Sequence, residues 1–154
     1  MVDEFEIELI DEEGPSRNSL QKIALFSLYD VLTYKNLNMP VDVEHIISSL
    51  CGQEYKDCPY FAKAIVIMAI KNFDAEVRDI SSYLKRWTFD RLNIIAQAIL
   101  LLAYTHFYYV EPEIDKGIVI NVAVKFAKVY LDSNDYKFIN AVLDNCLNRK
   151  STDA

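Results

Sequence analysis

The sequence predicts an all-α protein, a bundle of about seven helices around a central buried one. Three observations lead there. Only three glycines and four prolines interrupt 154 residues, 52% of them hydrophobic, and long stretches with so few breakers favour helix over sheet. Apolar residues recur at i, i+3, i+4 and i+7 in one segment after another. One segment, "NIIAQAILLLAYTHFYYV" at 93–110, is apolar almost all round, as a helix enclosed by others must be.

The elements follow in order. Residues 1–15 form an acidic arm that ends at Gly14-Pro15, and residues 16–150 form the helical domain, in two packed halves of about 16–73 and 74–150. Ser16 or Asn18 caps the first helix, and Asn18 with Gln21 makes a capping box. Leu20, Ile23, Ala24, Ser27, Leu28, Val31 and Leu32 line its inner face. A short second helix carries Val43, Ile46, Ile47 and Leu50 and closes at Gly52. Pro59 sits in the first turn of a third, which buries Phe61, Ala64, Ile65 and Met68. The fourth begins near Asp74 and turns Val77, Ile80 and Leu84 inward; the acids Asp74, Glu76 and Asp79 suit its N-terminal dipole. The fifth, residues 94–110, would span about 26 Å, short of the ~30 Å of a bilayer core. It also contains Gln97 and His106, so it reads as the post of a bundle and not as a membrane span. "IVINVAVKFAKVYL" and "NDYKFINAVLDNCLNR" give the last two helices. The final one is capped by Ser133 or Asn134, buries Ile139, Val142, Leu143 and Cys146, and ends on Arg149-Lys150.

Charge is unevenly placed. The net charge is −7, and seven of the 23 acids lie in residues 1–16, leaving 16 acids to balance 16 lysines and arginines in the rest. The body is near neutral, so the overall acidity does not exclude nucleic acid. The arm has neither the basic start nor the apolar run of a signal peptide, and a cytoplasmic location is expected. Cys51, Cys58 and Cys146 form no CxxC pair and are odd in number, so three reduced thiols are expected. His45 and His106 lack ligand spacing. No metal, cofactor or catalytic constellation is expected, and the chain reads as a non-enzyme.

The C-terminal third carries a specific pattern: Ala98-Ile99-Leu100 through Ala103, Ile120-Asn121 through Ala127-Lys128, and Lys137-Phe138-Ile139-Asn140 through Val142-Leu143-Asp144. Upstream lie Ala24, Leu28 and Tyr29, then Trp87 followed by Arg91-Leu92. Together these resemble the NusB family of transcription antitermination factors over roughly residues 17–148. Much of the motif is packing: Ala123, Ala127 and Ala141 allow close helix approach, and Asn121 and Asn140 suit satisfying backbone groups.

The resemblance implies a NusB-like fold. It also implies binding of single-stranded boxA-type leader RNA together with the ribosomal protein NusE, within the RNA polymerase antitermination complex. The RNA-binding residues it implies are Arg17, Lys22 and Tyr29 on the first helix and Lys137 and Phe138 on the last. On the residues alone, Phe138 is equally suited to a core, and Lys22 and Lys137 to plain solvated charge. The family's arginine-rich helix start is thinned here to "SRNSLQK". Leu101 stands where the family commonly has arginine, and leucine at a surface position implies burial against a partner. Leu101, Tyr104 and Tyr108 are therefore expected at a partner interface. They also motivate an alternative, a NusB-fold interaction module or homodimer without RNA. A further expectation is that the acidic arm competes with phosphate as an intramolecular RNA mimic.

Overall fold

Ser16 starts the first helix. Its hydroxyl accepts from the Ser19 amide at 3.2 Å, satisfying one of the amides that a helix start leaves unpaired. The computed structural model describes residues 16–149. Among these are seven α-helices and no strand, so the fold is all-α as the sequence predicts. The expected acidic arm, residues 1–15, and Lys150 lie outside the described residues. The chain divides into two compact units, one through Ile67 and the other from Met68.

In the first unit α1 (Arg17–Asn36) packs on α2 (Val43–Cys51). Asn38, at φ +56°, turns the chain out of α1, a conformation asparagine tolerates better than most residues. Asp42 then caps α2, its carboxylate accepting from the His45 amide at 3.0 Å. Leu25, Leu28, Leu32 and Ile47 are buried. The inner face of α1 is wider than the expected stripe: Ser19, Gln21 and Lys22 are buried too, while Leu20 is only half-buried. With Gln21 turned inward, Ser16 is the cap and the Asn18–Gln21 box is not used.

The cysteines require a correction. Cys51 and Cys58 are joined in a disulfide, their Cα atoms 6.3 Å apart, and only Cys146 is free. Gly52, at φ +72°, ends α2 in the left-handed conformation glycine adopts without strain. A 3₁₀ turn over Tyr55–Asp57 brings the chain back. That folded-back loop closes a spacing of seven that matches no redox or metal template.

α3 (Tyr60–Lys71) starts immediately after Pro59 and crosses the unit boundary. The second unit then holds α4 (Phe73–Ser81), α5 (Ile94–Thr105), α6 (Lys116–Tyr130) and α7 (Asp135–Cys146). α5 touches α4, α6 and α7, and every residue from Ala96 to Thr105 is buried. It is the expected central post, and no helix of the described residues is long and apolar enough to cross a membrane. The expected fifth helix divides: after Thr105 the backbone widens into a π-helical turn, His106–Val110. His106 is buried there, its Nε2 2.9 Å from a Glu111 carboxylate oxygen. Arg149 does not serve the α7 dipole. Its guanidinium lies 3.9 Å from the Phe107 ring centroid and donates to the Glu111 and Ile114 carbonyls.

Polar contacts fasten α4 to the post. Tyr104 donates to the Asp79 carboxylate at 2.6 Å. The Thr105 hydroxyl lies 2.9 and 3.0 Å from the two carboxyl oxygens of Glu76. Helix-dipole placement does not describe Glu76, which is fully buried. Burial pushes its carboxyl up to about 8, with the Thr105 contact pulling weakly the other way. At neutral pH Glu76 is thus mainly protonated, and the Thr105 hydroxyl can donate to one oxygen and accept from the other.

This buried acid makes stability fall as pH rises. The folded chain holds a proton that the unfolded chain, with an ordinary carboxyl near 4.5, releases. Stability is therefore full below about 4.5 and lost progressively up to about 8. Glu76→Gln keeps the hydrogen bonds without the charge. It should flatten that decline and gain on the order of a few kcal/mol at pH 8 relative to the parent, read by urea unfolding at pH 5 and pH 8.

Candidate functional site

The connection from α4 to α5 reads "KRWTFDR" at its centre, residues 85–91. Three cations and two aromatics in seven residues would be costly to bury together, and the fold separates them. Phe89 is buried and anchors a 3₁₀ turn over Phe89–Arg91. The far end is tied to α5: the Gln97 amide donates to the Leu92 carbonyl at 2.9 Å, and the Asn93 side-chain oxygen accepts from the Ile95 amide at 2.9 Å. Trp87, two residues before the anchor, is left 56% exposed.

Facing this connection is a stripe of α7. Phe138, Ala141, Val142 and Asn145 recur at i, i+3, i+4 and i+7, and all line a groove with Trp87. The groove has two compartments, with Trp87 and Phe138 common to both. The first, about 260 Å³, is rimmed by Tyr83, Lys85 and Arg86. The second, about 380 Å³, is bounded by Arg91, Asn93 and Ala96 on one side and by Leu131 and Asp135 on the other. Ala141 is small and exposed, which keeps the first compartment open. An apolar, aromatic floor with a cationic rim can stack planar rings and hold anions beside them.

The residues expected from the sequence fare differently. Phe138 is half-buried and forms part of the groove, and Lys137 beside it is exposed. Arg17 and Tyr29 are exposed on α1, but twelve residues apart they lie about 18 Å along the axis and roughly 120° around it. One nucleotide cannot touch both. Lys22 is 1% exposed. It shares the inward face of α1 with Ser19 and Leu25, so its burial, contrary to expectation, keeps its ammonium from phosphate in the folded chain. Asn121 and Asn140 are exposed and make no side-chain hydrogen bond among the described residues.

The expected partner interface is corrected at Leu101 and Tyr104. Leu101 is 1% and Tyr104 7% exposed within the chain itself. Leucine therefore fills the protein's own core, and Tyr104 is engaged with Asp79. Tyr108 donates to the Cys146 carbonyl at 2.9 Å and accepts from the Asn148 amide at 3.0 Å, closing the chain's own C-terminus onto the π-helical turn. Burial pushes the Cys146 thiol up to about 12, with Asp79 adding to the shift, so it is no thiolate at neutral pH.

Lys85, Arg86, Trp87 and Arg91 were not among the residues that sequence reasoning assigned to binding. Their signal was present as basic residues interleaved with an aromatic. In the sequence Trp87 stands out only as part of the family pattern with Arg91-Leu92, and its exposure becomes visible in the fold.

The NusB family model matches residues 18–148. The transcription antitermination protein NusB of Bacillus cereus (strain B4264) is 30% identical over 129 residues, covering 84% of this chain and 95% of that protein. The NusB protein of Bacillus anthracis (strain A0248) gives the same identity and coverage. Among solved structures, T. maritima NusB superposes with a TM-score of 0.72 at 22% identity, over 86% of this chain and 90% of its own. A chain from the crystal structure of a plectonemic RNA supercoil gives 0.69 at 21% identity, over 84% and 92%.

The groove can be read optically, because Trp87 is the chain's single tryptophan. Its emission should be that of a hydrated indole and be quenched readily by iodide, drawn in by the neighbouring cations. Ala141→Leu, at an exposed helical position, should change stability by no more than about 0.5 kcal/mol. It should nevertheless cut iodide quenching by filling the first compartment. A blue-shifted, unquenchable emission in the parent would mean that the indole is packed away and the groove closed.

Proposed function

Because the chain belongs to the NusB family, we propose that it is a cytoplasmic transcription antitermination factor. In this reading it binds single-stranded boxA-type leader RNA together with the ribosomal protein NusE, as part of the RNA polymerase antitermination complex. Its work is binding and not catalysis. The observation that carries the reading is the groove, where an exposed indole and Phe138 lie between Lys85, Arg86 and Arg91.

Single-stranded RNA is held by stacking unpaired bases on aromatic rings while cations track the backbone. Trp87 and Phe138 offer the rings. Lys85, Arg86, Arg91 and Lys137 are exposed cations of the same unit. Base–aromatic stacking is worth about 1–3 kcal/mol per base, so these two side chains dominate the short-range term.

NusE answers a deficit of charge. With Lys22 buried, Arg17 is the exposed cation in the opening turns of α1. The whole chain carries −7, which opposes the approach of a polyanion. A basic partner at the RNA would offset both.

Gel retardation with a boxA-like leader RNA should show weak binding by the chain alone and at least tenfold tighter binding with NusE. Trp87→Ala should weaken the complex about tenfold. Four phosphate contacts from Lys85, Arg86, Arg91 and Lys137 give a salt slope of about −2.8, and Arg17, if it is engaged, adds about −0.7. A slope shallower than −1, or indifference to Trp87→Ala, would remove the groove from RNA binding.

A further inference from the structure

Resting on that RNA-binding reading, we propose that the second compartment is a guanine-selective subsite. Trp87 and Phe138 hold the plane of the base there, and the Asp135 carboxylate accepts from its N1–H and N2–H groups.

The two compartments share their aromatic rings but differ in their edges. The first has Lys85 and Arg86 and no acid; the second sets a carboxylate, Asp135, across from Arg91 and Asn93. A carboxylate in a groove for a polyanion repels what the groove binds. It is tolerable there if it is matched to hydrogen-bond donors on the ligand. Asp135 makes no ion pair among the described residues, Arg91 in the same compartment included. Its two oxygens accept only.

Donor pattern then selects the base. Guanine alone presents two adjacent N–H donors on its Watson–Crick edge, a match for both oxygens of one carboxylate. Cytosine and adenine each set a ring acceptor beside their amino group, and uracil flanks its single N–H with two carbonyls. Each of those acceptors faces a carboxylate oxygen unfavourably. Guanine's remaining edge atom, O6, needs a donor. Asn93 can provide one, because its side-chain oxygen is occupied by the Ile95 amide, which leaves its amide N–H groups as the donors available to a ligand. The competing account of Asp135 is helix-dipole stabilisation in the first turn of α7, and it makes no distinction among bases.

The test uses the full chain and fluorescence anisotropy with labelled ten-nucleotide RNAs. One is all uridine, and three others carry a single central guanosine, inosine or cytidine. Inosine lacks only the N2 amino group. The parent should bind the guanosine oligonucleotide about tenfold more tightly than the inosine one, within the discrimination of a good bidentate contact. Asp135→Asn should produce a crossing: the guanosine oligonucleotide weakens to the inosine level, while the all-uridine oligonucleotide tightens because a repelling charge has gone. Equal binding of guanosine and inosine by the parent would overturn the subsite. So would an Asp135→Asn effect equal for every oligonucleotide, the mark of helix stabilisation alone. If Trp87→Ala still weakens all four, the RNA-binding reading survives that result. Failure of all four to bind with NusE also present overturns both.

Discussion

The second unit is organised by the burial of one helix on every side. From Ala96 to Thr105 every residue of α5 is buried, and a rod with that surface has no stable existence in water until other helices cover it. α4, α6 and α7 do so. Because the post is mostly apolar, its few polar side chains and those that reach it must be satisfied locally. The Thr105–Glu76 and Tyr104–Asp79 pairs achieve this by tying α4 to its outer end. At the other end, Gln97 uses its one buried amide to hold the Leu92 carbonyl. The connection that presents Trp87 is thus fastened at both termini by residues whose first duty is to enclose α5. The groove follows from that enclosure.

Electrostatics works on a second scale. The body of the chain is balanced in charge, and its local pattern decides what approaches. Lys85, Arg86 and Arg91 lie within seven residues of sequence on one rim, where an apolar floor of low dielectric strengthens their field. Lys22 shows the opposite outcome. The same type of residue, one helical turn from an exposed arginine, is enclosed and unavailable. Counting charges along α1 overstates its reach, because the ammonium's direction depends on which face of the helix is covered. The deficit this leaves at the helix start is the physical ground on which a basic partner is proposed.

The helix count, the central post and most boundaries were legible in the sequence because they rest on periodicity, capping residues and scarce breakers. The buried stripe of α7 and the Gly52 terminus are cases where one local rule decides. The misses share a cause. Burial of Lys22, Glu76 and Leu101, and the pairing of Cys51 with Cys58, depend on which surfaces meet in three dimensions, and no window of sequence contains that. Leu101 is instructive. Set against the family pattern it reads as a charge lost from the surface, whereas it is a core residue gained. The groove was half legible. Phe138 came from the motif as a binding candidate, but Trp87 and Arg91 entered only as part of the family pattern, because whether an aromatic at a connection faces solvent depends on what packs against it.

α7 shows how the family's packing pattern and the groove are carried by neighbouring residues without being the same property. Ile139, Val142, Leu143 and Cys146 form its core stripe, while Phe138, Ala141, Val142 and Asn145 form its groove stripe. The two are offset by one residue, about 100° of rotation, and share Val142 at their border. Any change that rolls α7 to improve its packing also swings Phe138 and Ala141 relative to Trp87. A chain that keeps the core stripe must therefore keep the groove's shape, while remaining free to change the charges on its rim. The packing of α7 fixes the aromatic floor, and the rim residues Lys85, Arg86, Arg91 and Asp135 are where the proposed RNA preference can change without disturbing the fold.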